Sequence, residues 1–200
     1  YRLKGEYDRA IADHTKAIEL DPNNARAYNN RGVAYRLKGE YDRAIADHTK
    51  AIELDPNNAR AYNNRGVAYR LKGEYDRAIA DHTKAIELAP KYVKAYSDLG
   101  FAYLEKGEYS NAVIAYTMFI ELSPGNIRAY DAQVYNNRGF AYIHTGEYDK
   151  AIADATKAIE LNPGYSYAYD TRSEAYCNIG EYDKAIADSN KAIELAPTHA

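Results

Sequence analysis

Residues 25–58 read ARAYNNRGVAYRLKGEYDRAIADHTKAIELDPNN, and their landmarks return through the whole chain. Gly-Glu-Tyr begins at Gly5, Gly39, Gly73, Gly107, Gly146 and Gly180, and a proline closes each copy at Pro22, Pro56, Pro90, Pro124, Pro163 and Pro197. The interval is 34 residues everywhere except between Gly107 and Gly146, where it is 39. A fixed period in this range predicts a solenoid, in which each unit packs on its neighbours and the whole is one array instead of separate globular domains.

Each unit contains two apolar runs with helical spacing. Asn24 is placed to cap a helix over 25–38 that sets Tyr28, Gly32 and Tyr35 on one face. Gly39 supplies a left-handed stop. A second helix over 41–54 carries Ala44, Ile45, His48, Ala51 and Ile52 at 3.6-residue spacing until Asp55-Pro56 breaks it. Counting from Ala25 as position 1, the chain divides into a partial unit 1–24, then 25–58, 59–92, 93–126, 127–165 and 166–199. Residues 1–54 match 35–88 without a change. The fifth unit holds five extra residues, which predicts a lengthened first helix there, and Phe119 stands just before it where other units have alanine.

Tyrosine at position 4, glycine at 8, tyrosine at 11, alanine at 20 and 27 and proline at 32 resemble the tetratricopeptide repeat, with tyrosine in place of the family's usual tryptophan. The resemblance covers essentially the whole chain. It implies an all-α fold, a right-handed superhelical solenoid of antiparallel helix pairs, and a non-enzymatic role in binding other proteins.

Composition limits the alternatives. A net charge of −3 and a pI near 6.0 give no whole-protein case for nucleic acid. The single cysteine, Cys177, excludes an internal disulfide and a cysteine-based zinc site, and fits a reducing compartment. No run of apolar residues is long enough to span a bilayer. The chain opens partway through a repeat without a methionine, as a fragment of a longer protein would.

Most residues that invite a chemical reading are accounted for by packing. The 22 tyrosines recur at positions 4, 11 and 17, leaving only Tyr92, Tyr116, Tyr165 and Tyr167 outside the pattern. His14, His48 and His82 fall at equivalent positions of successive units, separated by two helix layers, so they cannot converge on one metal and read as spacers between helices. Acidic pairs such as Asp8/Asp13 and Glu40/Asp42 read as solvated helix faces. No phosphate loop or nucleophile motif appears, so neither an enzyme nor a cofactor or metal is expected.

The first-helix positions that line the concave groove of tetratricopeptide-repeat proteins carry a distinct set here. Position 2 gives Arg26, Arg60, Lys94 and Arg128, positions 5 and 6 give Asn29, Asn30, Asn63 and Asn64, and position 12 gives Arg36 and Arg70. Primary amides both donate and accept, so repeated asparagines suit an extended peptide backbone. The pattern resembles the asparagine ladder of O-GlcNAc transferase and, in part, the carboxylate-clamp domains of heat-shock co-chaperones, although Asn29, Val33 and Asp98 depart from the clamp. Basic residues gather toward the first units, Arg2 included, and Glu105, Asp170 and Glu174 lie toward the last. The expected partner is therefore a protein or peptide, acidic where it meets the first units. The alternative is a self-assembling scaffold that stacks end to end through terminal faces including Ile11 and Ile193, giving homo-oligomers.

Overall fold

The computed structural model describes residues 2–123 and 129–196, with backbone alone for 2–5, 129 and 130. Among the described residues it contains eleven helices and no strand: α1 (Arg2–Leu20), α2 (Ala25–Leu37), α3 (Tyr41–Leu54), α4 (Ala59–Leu71), α5 (Tyr75–Leu88), α6 (Val93–Lys106), α7 (Tyr109–Leu122), α8 (Ala129–His144), α9 (Tyr148–Leu161), α10 (Ser166–Asn178) and α11 (Tyr182–Leu195). They form two compact units, Tyr1–Ala102 and Tyr103–Ala200. The chain is all-α, and within each unit antiparallel helix pairs pack in chain order: α2 with α3 and α4 with α5 in the first, α8 with α9 and α10 with α11 in the second.

Local chemistry sets the helix ends as the sequence indicates. The Asn24 side chain accepts from the Ala27 amide at 2.9 Å, and Asn58 does the same for Ala61 at 3.1 Å. Gly39 has φ +83°, so the chain leaves α2 through a left-handed residue and the Glu40 amide can return to the Tyr35 carbonyl at 2.9 Å. Gly5 is different: with no preceding first helix among the described residues, α1 runs through it.

Small residues bring the helices together and tyrosines fill the space around them. In the first unit Ala51, Ile52 and Ala61 form a core flanked by Tyr28 and Tyr62, while Tyr69, Ala78 and Ala102 form the next, flanked by Ile45 and Ile79. In the second unit Ala132, Ala158 and Ala168 pack with Tyr135 and Tyr165. Phe119 is buried where its counterparts are alanine, and α8 begins before Ala132, so the first helix of the fifth unit is lengthened.

Glycine at position 8 is matched to the side chain at position 24. A Cβ placed on Gly32 would lie 2.7 Å from His48 Cε1, and one on Gly66 would lie 2.8 Å from His82 Cε1. Where Ala155 takes the histidine's place, a Cβ on Gly139 would meet nothing closer than the Ala151 carbonyl at 3.3 Å. In the last unit both positions are serine, and Ser173 Oγ lies 2.7 Å from Ser189 Oγ.

This pairing orders two glycine substitutions. Alanine in a helix gains about 1 kcal/mol over glycine, whereas overpacking costs about 1–3 kcal/mol. Gly32→Ala is expected to destabilise the chain and Gly139→Ala to cost less or nothing. Urea unfolding of both variants checks this, and in a His48→Ala background the Gly32→Ala change should cost little or stabilise, because the ring its methyl would strike is gone.

Candidate functional site

The first-helix face of the first unit is built on an internal polar lattice. At its base lies an arginine at position 7 that the groove reading of the sequence passed over. Arg31 Nε and Nη2 donate to the two Asp47 carboxylate oxygens at 2.7 and 2.8 Å, and Nη1 donates to Thr15 Oγ1 at 3.1 Å. One guanidinium thus ties α2 to its own partner helix and to the preceding one. Arg65 repeats this with Asp81 and Thr49, Arg138 with Asp154 and Thr117, and Arg172 with Asp188 and Thr156. The bond to Asp47 holds the Arg31 guanidinium above its ordinary pKa against the opposing effect of burial. Arg31, Arg65 and Arg138 each also lie between two tyrosines, Arg31 5.6 Å from the Tyr28 ring centre and 5.9 Å from that of Tyr35, and Arg172 lies 5.8 Å from the Tyr169 ring centre.

These aspartates correct the sequence reading of Asp13-type positions as solvated. Asp47, Asp81, Asp154 and Asp188 are buried, because the facing arginine replaces the water they would otherwise need. A signal was present: arginine and aspartate recur sixteen residues apart, and in the third unit both are replaced, by Leu99 and Ala115.

The asparagines divide into two groups. Asn29 Oδ1 accepts from His48 Nδ1 at 3.1 Å and from Asn64 Nδ2 at 3.0 Å, joining α2, α3 and α4. Asn63 is fully buried, accepts from His82 Nδ1 at 2.9 Å and donates to Asp98 Oδ2 at 2.7 Å. Position 5 therefore bonds its own unit's histidine and the next unit's position 6. Asn30, half-exposed, makes no hydrogen bond through its side chain among the described residues.

The cations divide similarly. Arg26 and Arg60 are exposed and form no ion pair among the described residues, while Lys94 donates to Asp98 at 2.6 Å. Arg36 and Arg70 are half-buried on the same face. Burial lowers the Arg36 pKa, Asp98 opposes that change and Arg70 adds to it, so these three charges share one field. Arg70 also lies 5.5 Å over the Phe101 ring. Arg128 and the side chain of Arg2 lie outside the described residues.

This arrangement of stacked, short antiparallel pairs, with small residues at the crossings and a polar first-helix face, defines a repeat-built protein-interaction module. Tetratricopeptide-repeat family profiles match residues 25–58, 59–92 and 132–165, with further tetratricopeptide matches at 1–37, 83–113 and 155–187. The chain belongs to the tetratricopeptide-repeat family. It is similar to the crystal structure of MamA, at 32% identity over 83% of this chain and 94% of that one, with a TM-score of 0.74. It is also similar to YrrB, described as a TPR protein with an unusual peptide-binding site, at 26% identity over 93% of each chain and a TM-score of 0.77. MamA from Desulfovibrio magneticus RS-1 shares the fold, with a TM-score of 0.78 at 22% identity over 88% of this chain and 96% of that one. No curated protein matches the sequence.

The buried histidines make the lattice sensitive to acid. Burial lowers His48 to about 3, reinforced by Arg36 and Arg65, and lowers His82 to about 4, where Asp98 opposes the effect and Lys94 and Arg70 add to it. Both values lie below the ordinary 6.5, so the unfolded chain binds these protons first. Their contribution is complete above about pH 6.5 and is lost as pH falls toward 4 and then 3. By about pH 4.5 the loss should reach roughly 2–3 kcal/mol per histidine. Urea midpoints measured across this range should fall with acid, and the slope should flatten in His48→Leu/His82→Leu.

Proposed function

We propose that the first-helix face of the first unit binds an extended acidic segment of a partner protein, and that the chain acts as a scaffold without turnover of its own. The observation that carries this reading is the contrast between Arg26 and Arg60, exposed and without ion pairs, and Lys38, Lys50, Lys72 and Lys84, each held by a carboxylate. Asn30 adds an uncommitted amide beside them, and Arg36 and Arg70 extend the positive field along the face. The likeness to YrrB supports a peptide ligand.

The internal hydrogen bonds refine the set. Asn63 serves by fixing Asp98 and His82, and Asn64 and Asn29 by fixing one another, so direct recognition falls to Arg26, Asn30, Arg36 and Arg60, with Arg70 adding its charge to the face. Lys94 enters only by exchanging Asp98 for a carboxylate of the partner. A bound acid therefore competes with Asp98, the anion already built into the face.

Self-assembly by end-to-end stacking is a second reading, favoured by the exposed Tyr182, Ile186 and Ile193 on α11. Sedimentation over a concentration series tests it: association that disappears in Ile186→Glu/Ile193→Glu supports stacking, and a monomer throughout contradicts it.

For the first reading, a labelled peptide of alternating glutamate and alanine is titrated into the chain. Arg26→Glu/Arg60→Glu should weaken binding about tenfold or more, with a smaller difference at high salt, and should leave the helical signal unchanged. Asp98→Asn should tighten binding, because it removes the competing charge while leaving an oxygen for Asn63. Unchanged affinity in both variants would contradict the proposal.

A further inference from the structure

We infer that the first unit carries a second recognition site at its loop edge, where the turn at 55–58 faces the turn at 89–92, and that this site takes a peptide segment bearing a carboxylate beside an apolar side chain. The two turns enclose a cleft of about 820 Å³, a size that suits a few peptide residues. Ala59, Ala89 and Pro90 give it an apolar lining, Tyr92 stands half-buried at one side, and Arg60 and Lys91 reach it from the surface. Neither cation makes an ion pair among the described residues. Asp55 also lines the cleft, but its carboxylate accepts from the Asn57 amide at 3.3 Å.

The sequence explains why the chemistry arises at this turn. The segment repeated without change ends at Leu88, and the next turn is the first to differ. Asp21-Pro22-Asn23-Asn24 and Asp55-Pro56-Asn57-Asn58 become Ala89-Pro90-Lys91-Tyr92. One change removes a negative charge, one adds a positive charge and one adds an aromatic ring. All three favour an apolar anionic segment over the neutral polar contacts that the earlier turns offer. Asn30 and Arg36 do not line this cleft, so the site is separate from the proposed first-helix face even though Arg60 reaches both.

The test is an amide NMR titration of the 200-residue chain with the peptide acetyl-Asp-Leu-Glu-Phe-amide and its neutral counterpart acetyl-Asn-Leu-Gln-Phe-amide. The expected result is saturable shifts at Ala59, Arg60, Lys91 and Tyr92, with the neutral peptide binding at least about tenfold more weakly. Ala89→Asp/Lys91→Asn/Tyr92→Asn rewrites the turn as the sequence that already folds at 55–58, so loss of binding there reports the site and not misfolding. Arg26→Glu/Arg36→Glu should leave the saturable shifts at Lys91 and Tyr92 in place while removing any at the first-helix face, which separates the two sites. The inference is overturned by shifts confined to the first-helix face, by equal binding of the neutral peptide, by an unaffected turn-exchange variant, or by no saturable shift at millimolar peptide.

Discussion

The structure depends on a guanidinium that closes three contacts at once. Arg31 joins its own helix to Asp47 on the partner helix and to Thr15 on the helix before, and the same geometry recurs at Arg65, Arg138 and Arg172. A guanidinium suits this place because its planar fork meets a carboxylate with two parallel bonds while its faces stack on tyrosine. The aspartate can then be buried, and the crossing helices acquire a fixed register. Where the pair is absent both members are replaced together, by Leu99 and Ala115, which leaves neither charge stranded.

A second matched pair works beside the first. The His48 and His82 rings occupy the space that glycine leaves at Gly32 and Gly66, and their Nδ1 atoms donate to Asn29 and Asn63. Those amides then reach the next unit through Asn64 and Asp98. Burial keeps the rings neutral, so the lattice needs no counter-charge within it. The proposed partner meets side chains that this lattice does not use.

The helices were legible in the sequence because their signals are local. Asn24 and Asn58 cap, Gly39 turns left-handed, and the alanines mark close approach. The interaction class was legible for a related reason, since six copies in one register carry the family's landmarks. The allocation of polar side chains was harder to read. Asn29 and Asn30 are adjacent and chemically identical, yet one is bonded to a histidine nineteen residues away and the other faces outward. Only the packing of α2 against α3 and α4 separates them. Asp47 and Asp42 differ in the same way, the first buried by Arg31, sixteen residues earlier in the chain, a spacing that recurs in the sequence but does not by itself mark a contact.

If the position-7 arginines hold the helices together and do not read a ligand, each must be energetically coupled to its aspartate. A double-mutant cycle on Arg65 and Asp81 tests it most directly, using Arg65→Leu, Asp81→Ala and the combination that copies the third unit's own residues. Each single change should destabilise, the double variant should regain much of the loss, and the coupling should be about 1–3 kcal/mol. Additive effects, equal within about 0.5 kcal/mol, would contradict it.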